Sequence, residues 1–179
     1  LPWLENTARH LQQLIHANGQ SVAKRAKPIE PAAGRLVVFA DGLRMDVAQQ
    51  LAEKLAATGI DSTQDWEWSA IPSVTATAKP AASPIADAVQ GGEASDEFAA
   101  RLVSTGQFLT QDRFVTALKE HGWQVLGADE TGDPTGSAWT EAGALDKRGH
   151  TEGWKLARSV DTEVGDLVSR IGALLKAGW

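Results

Sequence analysis

Three short stretches of this sequence combine residue types that could act on a phosphate ester or hold a metal ion. In the first, Asp41 and Gly42 directly follow a short apolar run at 35–40. Such a run is typical of a strand that is buried on both faces of a parallel sheet. Because ligands in open α/β sheets collect beyond the carboxyl ends of the strands, Asp41 could offer its carboxylate to a metal ion. The alternative is an ordinary strand-to-helix turn, in which Asp and Gly are common turn formers.

The second stretch is a hydroxyl-rich turn that contains Ser73 and Thr75. A hydroxyl at a turn becomes a nucleophile when a neighbouring group accepts its proton or lowers its pKa. Ser and Thr at the start of a helix are also common N-caps. The turn alone therefore leaves a catalytic and a capping interpretation open.

The third stretch places Asp146 and His150 four residues apart, with Gly149 between them. An oxygen donor and a nitrogen donor that converge on one point suit zinc or a similar divalent ion. Asp146 lies in a glycine-rich stretch at 127–149, and His150 directly follows that stretch. We predict the stretch to be a long irregular loop, and such loops are usually functional or disordered. The alternative is an exposed carboxylate followed by a His that begins the next helix.

The hydrophobic pattern predicts the α/β elements that would position these residues. We expect strands near 35–40, 62–69 and 123–126. We expect helices from Pro2, from Leu43 to a glycine cap at Gly59, from about Lys79, at 112–121 and from Ala157 to Leu174, with an insertion of short helices at 83–112. Residues 1–33 are expected to form a helical arm and linker, and residues 34–179 the core domain.

Composition limits the classes of protein to consider. The chain has 179 residues, of which 42% are hydrophobic and 22% charged, as in ordinary globular domains. It has no Cys, which excludes disulfides, thiolate zinc sites and cysteine nucleophiles. A net charge of −6 argues against a broad nucleic-acid-binding surface. No apolar run is long enough to span a bilayer and no signal peptide is visible, so we expect a cytoplasmic protein without membrane contact.

In combination, the three stretches resemble a known family. The motifs Phe39-Ala-Asp-Gly-Leu-Arg-Met-Asp46, Ile71-Pro-Ser-Val-Thr-Ala-Thr-Ala78 and Asp146-Lys-Arg-Gly-His150 are similar to those of the PglZ domain. This domain belongs to the alkaline-phosphatase superfamily and is known from BREX-type phage-defence systems. The resemblance covers about residues 34–179, and its specificity comes from the combination, because each motif alone is common.

The resemblance implies a three-layer α/β core and a metal-dependent phosphatase or phosphodiesterase. Asp41 would bind one divalent metal ion, and Asp146 and His150 would bind the other, with zinc the expected ion. Thr75 would be the nucleophile, in preference to Ser73 and Thr77. The expected substrate is a phosphorylated compound or a phosphodiester, including nucleotides or nucleic acid, and the expected partners are other proteins of the defence system.

The sequence departs from the family pattern in one respect. The superfamily takes further metal ligands from an Asp-His pair and from another downstream His, yet no Asp-His dipeptide occurs here. The first residue is not Met, and the chain stops after a long helical pattern at Trp179. We therefore expect the N-terminal portion of a truncated domain, with an incomplete metal site, little hydrolase activity and an open sheet edge that favours self-association.

Two other functions remain open at this stage. The domain could be a non-catalytic scaffold that keeps the fold for contacts within a defence complex. It could also be a nuclease acting on DNA, although the acidic net charge disfavours that interpretation.

Overall fold

The computed structural model describes residues 2–17, 28–67, 69–70, 73–91 and 99–179, which form a mixed α/β fold with a small parallel sheet. The helices are α1 (Pro2–Ala17), α2 (Met45–Ala57), α3 (Thr75–Ala82), α4 (Gln111–Glu120), α5 (Leu145–Glu152) and α6 (Val160–Lys176). The strands are β1 (Arg35–Phe39), β2 (Val89–Gln90), β3 (Arg101–Leu102), β4 (Trp123–Leu126) and β5 (Ser137–Glu141). Short 3₁₀ helices span Ala86–Ala88 and Gly153–Arg158.

The main sheet has the order β1-β5-β4, and both strand pairs are parallel. Phe39 at the end of β1 is in register with Glu141 at the end of β5. The carboxyl ends of β1 and β5 therefore lie side by side, and Asp41 follows at this edge. A separate antiparallel pair, β2 with β3, lies in the segment between α3 and α4.

Alternate residues of the parallel strands pack on opposite faces of the sheet, as the two-residue period of a strand requires. On one face, Trp139 of β5 lies in a core with Phe114 and Leu118 of α4. Its indole stacks on the Phe39 ring at 5.6 Å and meets the Phe114 ring edge-on at 5.5 Å. On the other face, Ala138 packs with Leu174 of α6.

A second group of apolar residues joins α2, α5 and α6. Val47, Leu145 and Val164 are its buried members, and Leu156 of the second 3₁₀ helix packs against them. The cluster fixes the position of α5 relative to the turn between β1 and α2. Both segments carry residues that the sequence singles out.

Several predicted elements are confirmed. Strands occur at Arg35–Phe39 and Trp123–Leu126, and α2 ends at the predicted glycine, because Gly59 adopts φ +81° just after the helix. Helix α1 begins at Pro2, where the missing amide hydrogen of proline costs nothing. In α1 every described side chain is exposed.

The predicted strand at 62–69 is wrong. Residues 61–67 and 69–70 adopt no regular structure, Trp68 lies outside the described residues, and every residue of 61–67 is exposed. Among the described residues of this segment, none belongs to a strand ladder, and none of 61–67 has a buried side chain. Without either, extended backbone gains neither ladder hydrogen bonds nor apolar burial.

The predicted long loop at 127–149 is also wrong, because it contains the central strand β5 and most of α5. The β5 segment lacks a continuous apolar run, since Ser137 and Thr140 are polar although both are buried. Their hydroxyls are satisfied by long-range partners: Ser137 Oγ donates to Ala32 O at 2.8 Å, and Thr140 Oγ1 donates to Leu126 O at 3.1 Å. Asp146 and His150 consequently lie on a helix and not in a loop.

Other expectations fall partly outside the described residues. The undescribed residues concerned are 18–27 of the expected arm and linker, Ile71 and Pro72 of the second motif, and 92–98 of the predicted insertion. Within the described ranges, no helix combines the length and the apolar character needed to cross a bilayer.

Candidate active site

All four residues singled out for metal binding or catalysis line one cleft at the carboxyl edge of the sheet. The cleft has a volume of about 850 Å³, and Asp41, Thr75, Asp146 and His150 are all on its wall. Asp41 comes from the turn after β1, Thr75 from the start of α3, and the other two from α5. Three segments that are distant in sequence therefore meet at the place where α/β sheets commonly hold their ligands.

Asp41 and Thr75 contact each other directly. The hydroxyl Oγ1 of Thr75 donates a hydrogen bond to Asp41 Oδ2 at 2.9 Å. Asp41 is half-buried, whereas Thr75 is exposed to the cleft. The carboxylate thus holds the hydroxyl in a fixed orientation and accepts its hydrogen.

Thr75 is the first residue of α3, whose N-cap is Val74 in an extended conformation (φ −107°, ψ 159°). Val74 has no polar side chain, and no side-chain hydrogen bond caps the helix. The positive end of the helix dipole therefore lies at Thr75, on the cleft wall. Negative charge that develops on Thr75 Oγ1 or on a bound phosphate is stabilised there.

The other two hydroxyls of this segment differ from Thr75 in position. Thr77 Oγ1 donates to the Val74 carbonyl at 3.0 Å within the first turn of α3, and Thr77 is not among the cleft residues. Ser73 lines the cleft but precedes the helix. Among the described hydroxyls, only that of Thr75 is hydrogen-bonded to Asp41.

Asp146 and His150 occupy successive turns on one side of α5. Asp146 Oδ1 lies 3.6 Å from His150 Nε2, the spacing expected of residues four apart on a helix. The His150 side chain is 81% exposed. An imidazole nitrogen and a carboxylate oxygen are thereby presented together to the cleft.

Gly42 is the point at which the two pairs come together. It has φ +75°, and a Cβ atom added there would lie 2.8 Å from the Asp146 backbone nitrogen. The turn that carries Asp41 therefore packs directly against the start of α5. Only glycine combines this backbone conformation with so close an approach.

An ionic network centred on the buried Glu163 joins α5 to α6. Glu163 of α6 is 3% exposed, and its Oε2 accepts a hydrogen bond from the Ala144 amide at 2.9 Å. Its other oxygen pairs with Arg148, whose Nη1 also contacts Glu152 Oε1 at 3.0 Å. Glu152 in turn accepts from Ser159 Oγ at 2.9 Å. Glu163 thus accepts the amide of the N-cap residue Ala144, the hydrogen bond that a side chain at the third helical position makes in a capping box.

A second ion pair anchors α3. Lys79 Nζ lies 3.2 Å from both carboxylate oxygens of Glu141 and 3.0 Å from Gln111 Oε1. It also sits over the Phe114 ring, 5.3 Å from the centroid. Because Glu141 ends β5, Lys79 ties α3 to the edge of the sheet.

Sequence reasoning missed the supporting residues Lys79, Glu141 and Glu163. Glu141 could not be recognised without β5, and no local pattern indicates that Glu163 faces α5. The sequence holds one signal for Lys79, which is the Pro80 that follows it. Pro80 is buried, so this part of α3 packs against the core.

The cleft is acidic. Its wall includes the carboxylates of Asp41, Asp65, Glu67 and Asp146, against one guanidinium, that of Arg44. Arg44 is itself paired with Asp46, Nη2 to Oδ2 at 2.8 Å. Such a wall attracts cations, and a phosphate ester needs cations to enter it.

The donor types fit divalent metal ions, but the number of donors is small. Asp41 and Thr75 offer oxygens, and Asp146 and His150 offer an oxygen and a nitrogen, a set suited to zinc. Across the described ranges, no group of three or more His, Asp or Glu side chains is arranged to hold an ion. An ion on either pair therefore needs further ligands to reach four-coordination.

Comparison of the chain with models of known protein families, with curated proteins and with solved structures finds no match. The functional interpretation of the cleft therefore depends on its geometry and on the three motifs.

Proposed function

We propose that this chain contributes the nucleophile half of a metal-dependent phosphoric-ester hydrolase of PglZ type, on an alkaline-phosphatase-like three-layer core. The observation that supports it best is the hydrogen bond from Thr75 Oγ1 to Asp41 Oδ2 at the uncapped N-terminus of α3. A Thr hydroxyl held by a carboxylate at the positive end of a helix is prepared for nucleophilic attack.

The catalytic roles follow from the residue positions. Asp41 orients the Thr75 hydroxyl and accepts its hydrogen, and the α3 amides favour the charge that appears on Oγ1. Attack of Oγ1 on phosphorus forms a phosphothreonine and breaks the bond to the leaving alcohol, and water then releases phosphate or a phosphomonoester. Two divalent cations, when bound, supply Lewis-acid stabilisation of the attacking and leaving oxygens. Asp41 is the chain's ligand for one ion, and Asp146 with His150 for the other.

We further propose that this chain alone binds zinc weakly and turns over slowly. The Asp-His pair that the resemblance predicts is absent from the sequence. The described donors come in pairs, and an ion with two protein ligands exchanges readily with solvent. In the same proposal the protein acts in the cytoplasm, within a phage-defence complex.

The test is release of 4-nitrophenolate from bis(4-nitrophenyl) phosphate by the purified chain with added zinc. We expect slow release that Thr75→Ala abolishes, that Thr75→Ser partly retains and that Thr77→Ala leaves unchanged. Equal release by Thr75→Ala and the unaltered chain, or no release above a protein-free control, would overturn the hydrolase proposal. Tight, stoichiometric zinc with rapid turnover would instead overturn the proposal of an incomplete site.

The second candidate is a non-catalytic scaffold of the same fold. The count of metal donors favours it, because two pairs hold ions less firmly than two complete ligand sets. Introducing Thr75→Ala into cells protected by the defence system separates the two candidates. Loss of protection supports catalysis, and unchanged protection supports the scaffold.

A further inference from the structure

A segment beside the cleft differs in charge from the rest of the chain. Residues 147–158, hereafter the basic–aromatic segment, contain four of the chain's 17 Lys and Arg residues but one of its 23 Asp and Glu residues. The chain as a whole has a net charge of −6. Positive charge is therefore concentrated next to the Asp146–His150 pair, and the other surfaces carry the negative excess.

Three cations of the basic–aromatic segment are exposed: Lys147, Lys155 and Arg158. Within the part of the chain that the structure describes, no carboxylate forms an ion pair with any of them. The fourth, Arg148, is engaged with Glu152 and Glu163. The three exposed cations are thus available to an anionic partner.

The indole of Trp154 lies among these cations. It is 76% exposed, the highest value among the large exposed apolar side chains. Arg158 Cζ lies 5.4 Å from its ring centroid, and Lys155 Nζ lies 6.0 Å from it. Cation–π contacts at these distances orient the ring and still leave most of its surface to solvent.

The segment is held firmly against the core. Leu156 packs beside Val47, Leu145 and Val164, and the Ser159 amide donates to the Leu156 carbonyl at 2.8 Å. The outward position of Trp154 is therefore built into the 3₁₀ helix Gly153–Arg158. Because the half-buried Leu156 packs inward, its neighbours Lys155 and Trp154 are exposed.

We propose that the basic–aromatic segment binds single-stranded nucleic acid, with Trp154 stacking on a base and Lys155 and Arg158 contacting phosphates. Surfaces that bind single strands combine cations, which contact the phosphate backbone of the nucleic acid, with aromatic rings on which bases stack. An anionic membrane fits less well, because Trp154 is the one large exposed apolar side chain that the structure describes in this segment. Membrane-surface helices bury several such side chains.

The surface does not depend on hydrolysis, although its position beside His150 would deliver a phosphodiester to the proposed site. Binding is therefore measured in the presence of a chelator, which separates its outcome from that of the hydrolase proposal. The probe is a fluorescein-labelled oligothymidylate of about 12 nucleotides, within the usual site size. Fluorescence anisotropy against the full chain gives Kd over a series of salt concentrations.

Two pairs of variants make the test specific. Trp154→Ala should weaken binding about 5- to 100-fold with an unchanged salt slope, because stacking is not ionic. Trp3→Ala is the matched control, since Trp3 on α1 is 72% exposed, and it should leave Kd unchanged.

Lys155→Ala with Arg158→Ala should weaken binding and reduce the slope of log K against log salt by about 1.4, or about 0.7 per phosphate contact. Lys119→Ala with Lys176→Ala removes the same charge elsewhere and should alter neither the slope nor Kd by a comparable amount.

Three results would overturn the proposal. The first is no binding at low salt. The second is equal weakening by the segment variants and their controls, which would indicate a diffuse electrostatic effect. The third is Trp154-dependent binding to phosphatidylserine vesicles with none to the oligonucleotide, which would make the surface a membrane contact. Circular dichroism of each variant is the control for folding, and we expect the exposed substitutions to leave the spectrum unchanged.

Discussion

Arg148, on the helix that carries Asp146 and His150, forms an ion pair with the buried carboxylate of Glu163. Arg148 belongs to α5 and Glu163 to α6, so the pair joins the helix that carries Asp146 and His150 to the longest helix of the described fold. Since Glu163 also accepts the Ala144 amide, one carboxylate fixes both the start and the middle of α5. The position of the Asp146–His150 pair thus depends on a residue that lies outside the cleft wall.

Replacing Glu163 should destabilise the protein and loosen α5. Glu163→Ala leaves the Ala144 amide and Arg148 without this acceptor, and we expect a loss of about 1–3 kcal/mol in the free energy of unfolding. Glu163→Gln keeps an acceptor for the amide and should cost less. Urea denaturation measures both, with Glu53→Ala, an exposed carboxylate on α2, as the control. An effect of Glu163→Ala no larger than that of the control would refute the role of the network.

Gly42→Ala should disrupt the cleft. The added methyl group meets the Asp146 backbone, and the positive φ adds strain, so we expect a loss of about 1–3 kcal/mol. Gly59→Ala is a close control, because Gly59 has φ +81° but no atom within 4 Å of an added Cβ. Both variants should lose stability by thermal unfolding, and only Gly42→Ala should also weaken zinc binding measured by calorimetry. Equal zinc affinity in the two variants would contradict a role for the Gly42–Asp146 contact in positioning the candidate metal ligands.

Lys79→Met should displace α3 while retaining most of the side-chain stem. Removal of the ammonium abolishes its hydrogen bonds to Glu141 and Gln111, and we expect a loss of about 1–2 kcal/mol. Hydrolysis that depends on Thr75 should fall as well, because α3 loses its tie to the sheet. Lys119→Met on the exposed side of α4 should change neither the denaturation midpoint nor hydrolysis. Full activity in Lys79→Met would show that other contacts position Thr75.

Thr135→Val should raise the pKa of Asp133. Hydrogen bonds from the Thr135 amide and hydroxyl, the amide first, hold the pKa of that carboxyl below its ordinary 3.8. A lowered pKa stabilises the fold above the pKa of the unfolded state, and this contribution is lost as pH falls through the folded-state pKa. The variant should therefore be less stable than the unaltered chain at neutral pH, and the difference should shrink in acid below the folded-state pKa. Carbon-detected NMR titration of Asp133 measures the pKa. An equal rise in Thr116→Val, a substitution on α4, would contradict the attribution of the lowered pKa to Thr135.

The sequence indicates β1 and α2 clearly because their signals are local. An unbroken apolar run precedes Asp41, and a helical stripe ends at a glycine that caps the helix. Local sequence also identifies the four candidate site residues, because each can bind a metal or act as a nucleophile and lies beside a predicted turn or loop. They are Asp41, Thr75, Asp146 and His150. Their presence on the wall of one cleft is a property of the tertiary structure.

The elements that the sequence fails to indicate depend on distant partners. Ser137 and Thr140 make β5 look like a loop until their hydroxyls meet Ala32 and Leu126. Helix α5 contains Gly149 and begins at a residue without a capping side chain, and its N-cap amide is bonded by Glu163, which is distant in sequence. Trp66 produces the opposite error, because residues 61–67 form no strand and are exposed.

The position of β5 between β1 and β4 has a consequence for how the protein acquires its fold. Among the described strands of this sheet, β1 and β4 make no ladder with each other, and each pairs only with β5, which comes after both along the chain. During synthesis these three strands therefore form no pair until residue 141 has left the ribosome. Parallel pairing across so long a separation is slow. During this interval β1 exposes both edges and its apolar side chains, which makes it the first segment of the described sheet that a chaperone would encounter and the first that could aggregate.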